Sequence, residues 1–254
     1  AISHLYYADR LNQLPLAIFG IALGIVLLPS LSKAIKLNNQ EVIDATQNRS
    51  IEFSLLISLP SAAGLFILSQ PVINILFERG AFVQEDTFYT AQVLSIFVLG
   101  LPAYILIKVL ITFFFAREDT KTPLYISFVS VLMNIILSLL LIGSMREMGI
   151  ALATAISAWL NALSLFFTLV YKGNLVLDNK LIANSIKIIL SVIIMTVFCY
   201  FLNNYLLSNT ESFNLLLKVI LLLIAILCCK IIYLGSIFML KVITIVGLMS
   251  YIKK

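Results

Sequence analysis

Long apolar stretches alternate with short polar ones along almost the whole chain. Runs long and apolar enough to be spans occur at about 11–32, 51–77, 88–115, 122–143, 149–171, 183–206 and 213–239, and a short amphipathic tail follows at 240–254. As a helix, each run is long enough to cross a hydrocarbon layer of about 30 Å. The connections are brief, so consecutive helices are expected to lie antiparallel to one another. The pattern predicts an all-α integral membrane protein, a polytopic bundle of about seven transmembrane helices.

Small residues indicate which faces pack. Gly20 and Gly24 form a GxxxG pair in the first span, and Ala151, Ala155, Ala158 and Ala162 form a stripe in the fifth. In lipid, such faces let backbones approach closely, and packing rather than hydrophobicity drives association. The last two spans are instead bulky and rich in Leu and Ile. They are expected at the periphery, with a boundary near residue 173 that divides the chain into 1–172 and 173–254. Pro15, Pro29, Pro60 and Pro102 fall within or beside apolar spans. A membrane helix tolerates proline where neighbours or water take up the freed carbonyls.

Composition excludes a soluble domain. Of 254 residues, 61% are hydrophobic and 11% charged, against roughly 25% charged in a soluble domain. Mean hydropathy is +1.09. The net charge of +5 does not indicate nucleic acid, because the positive residues are spread between apolar segments rather than gathered on one face. They determine topology instead. Lys33, Lys36 and Arg49 follow the first span, Arg117 and Lys121 the third, Lys172, Lys180 and Lys187 the fifth, and Lys253 and Lys254 end the chain. The alternate connections carry only Arg79, only Arg146, and none around 203–212. The positive-inside rule makes the first set cytoplasmic and the C-terminus cytoplasmic, and it places the first residues outside. With Ala rather than Met at position 1, further helices are expected ahead of this stretch. Cys199, Cys228 and Cys229 lie within apolar runs without metal-ligand spacing and are expected to be reduced packing residues.

A few polar positions in the spans are candidates for chemistry. Asp9-Arg10 stands at the mouth of the first span. A guanidinium there suits a phosphate group, with Asp9 orienting it, while the alternative is an Arg reaching to headgroups at a helix end. Lys108 lies nine residues before Arg117, about 13 Å of helix from the membrane edge, and is expected to face a cavity. Asn134 and Ser138 share a helix face, and Thr154 in the next span could meet them. The three form either an interhelical hydrogen-bond cluster or part of a small-cation site. Catalysis has little support. His4 is the sole histidine, no nucleophile has a base at plausible spacing, and no phosphate-cradling loop is present. Neither an enzyme nor a cofactor or metal is expected.

Three stretches, taken together, resemble one family: YYADRLNQLPLAIFGIALGIVLLPSLSK from residue 6, ILFERGAF at 75–82, and FFFAREDTKTP at 113–123. In order, spacing and hydropathy they are similar to the C-terminal half of the MurJ/MviN lipid II flippases. The resemblance implies the fourteen-helix fold shared with multidrug and polysaccharide exporters (the MATE-like, MOP exporter fold), with these spans as helices eight to fourteen. Residues 1–172 would then be second-lobe helices of the transporter core, and 173–254 two additional helices with a basic tail. It further implies a bacterial cytoplasmic (inner) membrane location and transport by alternating access. The substrate would be lipid II, an undecaprenyl-diphosphate-linked saccharide-peptide needed for the cell wall. Arg10 stands at the family's cavity-lining Arg, and Asp9 at the Asp before it. Gln13 replaces an acidic residue found in many members. The implied partners are lipid II, membrane lipids and a missing N-terminal lobe, in cis or as a separate chain. Two other readings stay open: an exporter of another polyprenyl-linked saccharide or a drug, and a non-transporting fragment or partner subunit.

Overall fold

The computed structural model describes residues 2–207 and 214–242; the side chains of residues 2, 18–25, 206 and 207 lie outside the description, and with them the Gly20–Gly24 pair. The expected tail at 240–254 lies outside it beyond residue 242. The described elements are α1 (Ile2–Lys36), α2 (Gln40–Ile67), α3 (Ser69–Phe77), α4 (Gln84–Leu99), α5 (Leu101–Phe115), α6 (Lys121–Met145), α7 (Glu147–Tyr171), α8 (Asn179–Leu202), a π-helical turn over Asn203–Leu207, and α9 (Leu215–Met239). Among the described residues, six helical stretches are long and apolar enough to cross a membrane. The seventh expected span, 11–32, falls within α1.

Proline places the breaks. Pro71 cannot donate to the Ile67 carbonyl four residues back, and the expected span 51–77 divides at Leu68 into α2 and α3. Pro102 cannot donate to Val98. The span 88–115 divides at Gly100, leaving Pro102 in the first turn of α5 where an N–H is not needed. Pro60 stays inside α2 and frees the Leu56 carbonyl. Tyr233 of α9 donates its hydroxyl to that carbonyl at 2.6 Å. At the α4–α5 break, the Trp159 indole of α7 donates to the Leu99 carbonyl at 2.9 Å.

The alanine stripe of α7 is buried. Ala158 and Ala162 meet Ala103 of α5, and Ala151 joins the core that Leu94 and Val98 of α4 share with Ala8 and Leu11 of α1. Helix α6 packs mainly on α7 and presents Leu124, Phe128, Leu139 and Leu140 outward, each more than 60% exposed. That is the face of a lipid-contacting helix. Close approach of α6 and α7 requires Gly149, where a Cβ would stand 2.6 Å from the Leu141 carbonyl oxygen.

At the opposite end from Ile2, the FFFAREDTKTP stretch turns α5 into α6. The Asp119 carboxylate accepts from the Thr122 N–H at 3.0 Å, the Thr122 hydroxyl at 2.7 Å and the Lys172 ammonium at 2.9 Å. These partners, the Thr122 N–H foremost, hold its carboxyl down at about 2. The α7–α8 connection crosses the same end and is tied to α2 by side-chain amides. Gln47 donates to the Asn174 carbonyl at 3.1 Å and Asn48 to the Val176 carbonyl at 2.8 Å. Asn48 also accepts from the Asp178 N–H at 3.2 Å. Asn184 of α8 donates to Glu52 of α2 at 2.8 Å.

Two outcomes follow from this packing. Gly149→Ala should destabilise the bundle by about 1–3 kcal/mol, because the obstructing atom is backbone. Thermal unfolding in lipid nanodiscs checks it. Asp119→Asn should lower stability at neutral pH. The wild-type advantage should be full above pH ~4 and fade as pH falls towards about 2, because the folded carboxyl titrates below the ordinary value of ~3.9. Unfolding of both proteins across that pH range reads the difference.

Candidate functional site

The sequence of α1 sets up a polar face that borders an open cavity among the helices. Asp9, Asn12, Gln13 and Leu16 recur at helical spacing, so their side chains share one side of α1. Tyr104 and Lys108, four apart on α5, face the same space, and Thr154 of α7 closes it. Together they line a cavity of about 440 Å³. Leu16, Ala17 and Phe97 form its apolar wall. The Tyr104 ring folds back over Gly100, where a Cβ would lie 2.8 Å from it, so that glycine gives the ring its place.

The cavity carries unused hydrogen-bonding capacity. Asn12 is 4% exposed, and its Oδ1 has no protein partner, nor has the Tyr104 hydroxyl. Buried polar atoms are usually satisfied. Two left open on one cavity mark a place where water or a ligand supplies the missing partner.

The structure separates some of the residues singled out in the sequence and unites others. Asp9, Lys108 and Thr154 line the one cavity. Asp9 accepts a hydrogen bond from Gln13 rather than orienting Arg10. Arg10 is exposed on the neighbouring flank of α1, where it donates to the Tyr6 hydroxyl at 2.9 Å and lies 4.9 Å from the centre of that ring. Asn134 donates to Thr154 at 3.3 Å across α6 and α7, and Ser138 donates to Asn134 at 3.3 Å. Thr154 itself donates to the Ile150 carbonyl at 2.8 Å. This polar chain therefore runs from the outer helix α6 to the cavity wall. No group of three or more His, Cys, Asp or Glu side chains suited to a metal occurs among the described residues.

Other site residues were less evident in the sequence. Asn12 and Tyr104 could have been found from their spacing, three residues after Asp9 and four before Lys108. The pairing of His4 with Asp86 and Glu147, each at 3.0 Å, joins positions too far apart in sequence for spacing to signal it. Two of the motif stretches also meet. Tyr7 of the first packs on Phe77 and Phe82 of the second, with ring centres 4.8 and 5.4 Å away.

A helix bundle with lipid-facing apolar faces and a polar cavity among its helices defines a multi-pass α-helical membrane protein. Comparison with known proteins narrows the class. The family model described as "Lipid II flippase MurJ" matches residues 1–221, and the chain belongs to that family. A "Probable lipid II flippase MurJ" of Rhizobium meliloti (strain 1021) is 44% identical over 200 residues, covering 79% of this chain and 37% of the relative. One of Rickettsia prowazekii (strain Madrid E) is 40% identical over 243 residues, covering 96% and 48%. A solved structure titled "Lipid II flippase MurJ, inward closed conformation" superposes with a TM-score of 0.75 at 31% identity, covering 93% of this chain and 47% of that one. The chain thus spans under half the length of these relatives.

If the open atoms on the cavity await a ligand, Tyr104→Phe and Asn12→Leu should leave stability within about 1 kcal/mol of wild type, since neither removes a bond made within the fold. Thermal unfolding in nanodiscs tests this. A loss of several kcal/mol would show that those atoms are bonded inside the protein.

Proposed function

We propose that this chain forms part of a flippase that carries lipid II from the cytoplasmic to the outer leaflet of a bacterial cytoplasmic membrane, for cell-wall synthesis. The observation that carries the reading is the polar cavity on α1, α5 and α7, in a chain of the MurJ family whose first motif supplies its polar face. A lipid-linked saccharide needs a polar path for its headgroup while its tail stays in hydrocarbon. A cavity of this kind beside exposed apolar helices offers both.

In this reading Asp9, Lys108 and Thr154 contribute polar contacts from one wall. Lys108 supplies a positive charge suited to a diphosphate. Arg10, on the exposed flank of α1, extends that cationic surface towards a second wall. The relatives' greater length supports the view that helices outside this chain, in cis or as a separate chain, supply that wall. Residues 1–172 act as second-lobe core helices, and residues 173–254 as an attached pair with a basic tail. Asn134, Ser138 and Thr154 serve as a polar link between α6 and α7. The end bearing Lys36, Lys121 and Lys180 faces the cytoplasm, as its basic residues favour. Rocking of the lobes then exposes the cavity to each side in turn.

The decisive variant is Arg10→Ala in the full-length protein, expressed in cells depleted of their own flippase. The expected result is loss of growth support with unchanged abundance in the membrane. Normal growth would overturn the role given to Arg10.

A further inference from the structure

His4 lies one helical turn and a half before Asp9, at the start of α1. Its imidazole reaches two other helices at once. Nδ1 stands 3.0 Å from Glu147 Oε1 at the start of α7, and Nε2 stands 3.0 Å from Asp86 Oδ1 at the start of α4. His4 and Glu147 are each 8% exposed. The ring stacks on Tyr89 of α4 with centres 5.9 Å apart and planes 15° from parallel, so its orientation is fixed.

This arrangement constrains the proton count. A neutral imidazole has one N–H and one lone pair. Between two ionised carboxylates it donates to one and turns its lone pair against the oxygen lone pairs of the other. Both 3.0 Å contacts are attractive only when the trio holds one more proton, either on the ring or on a carboxyl that donates to it. Charge assistance then strengthens the bonds. We infer that His4, Asp86 and Glu147 form a proton-binding site, and that the bound proton fastens the start of α1 to the starts of α4 and α7.

The other charged groups near the trio have partners of their own or face solvent: Glu78, close to Asp86, accepts from Thr87 at 2.6 Å and from Asn74 at 2.7 Å. Arg79, from the α3–α4 connection, lines the cavity of about 520 Å³ beside His4. Its guanidinium is exposed and donates to the Leu76 carbonyl at 2.8 Å. Glu85 and Arg146, the sequence neighbours of the two carboxylates, are exposed. Tyr7 and Tyr89 are the nearby phenols. Helices α2 and α5 also pack on α1, but the charges of α2 (Glu41, Asp44, Arg49 and Glu52) lie in its far half and α5 carries only Lys108. Asp86 has a second duty, accepting from the Val83 N–H at 3.1 Å at the head of α4.

The docked form is the proton-bound form, so raising the pH weakens the fastening. The first turns of α1 also carry Tyr7, packed against Phe77 and Phe82, and lead directly to Asp9 on the cavity shared with α5 and α7. Occupancy of the proton site is therefore coupled to the position of the cavity wall, and movement of that wall must alter proton affinity in return.

Amide hydrogen exchange over residues 3–11 tests this in the full-length protein in nanodiscs between pH 6 and 9, expressed as protection relative to the intrinsic rate. It requires neither substrate nor transport, so its outcome is independent of the flippase assignment. Wild type should lose about tenfold or more in protection as pH rises. In Glu147→Gln the amide can donate to the unprotonated ring nitrogen, so protection should persist and the profile flatten. A flat wild-type profile, or a slope retained in Glu147→Gln, would overturn the inference. Should that variant fail to fold, His4→Gln decides: loss of the slope supports the site, and persistence of the slope without an imidazole removes it.

Discussion

Inside a bilayer no solvent is available to a carbonyl that loses its helical partner, and this constraint governs how the bundle is joined. Pro71 and Pro102 follow the helix breaks at Leu68 and Gly100, while Pro60 lies within α2, and side chains from other helices serve carbonyls at two of these three sites. Tyr233 serves the carbonyl freed by Pro60, and Trp159 serves Leu99 at the break before Pro102. Each such bond is also a tie between helices distant in sequence. The ties therefore fix α9 against α2 and α7 against α4 more specifically than apolar packing alone, which is non-directional.

The same economy makes the exceptions informative. Most hydroxyls of the spans are returned to their own helix, as Thr112, Ser191 and Thr196 show by bonding carbonyls four residues back. Eight buried side-chain atoms among the described residues lack a partner, and two of them, on Asn12 and Tyr104, border the same cavity as Asp9 and Lys108. Gly100 leaves room for the Tyr104 ring that borders this space, while the alanines of α7 close the packing around it.

Much of this was legible in the sequence. Hydropathy alone marks the helical stretches, because hydrocarbon thickness sets their length. The alanine stripe of α7 shows its packing face, since only small side chains permit that approach. The interruptions at Leu68 and Gly100 were not anticipated: the apolar run is continuous through both, and only the place of Pro71 and Pro102 four residues beyond a lost acceptor reveals them. The exposure of Arg10 was equally hidden. Asp9 and Arg10 are adjacent, so a helix must turn them about 100° apart, and which of the two faces the cavity depends on how α1 is rotated against α5 and α7. His4 could not have been paired with Asp86 and Glu147 from one chain, because topology alone brings those three helix starts together.

The amides that hold the α7–α8 connection have a wider consequence. Gln47 and Asn48 grip backbone carbonyls, and Asn48 receives an N–H in return. None of those three bonds relies on a pair of opposite charges. They lie at an end rich in lysine, where headgroup composition and ionic strength vary and ion pairs are readily screened. Attachment through neutral amides keeps the α7–α8 connection on α2 independent of the salt or lipid at that surface, unlike the Lys172–Asp119 ion pair at the same end.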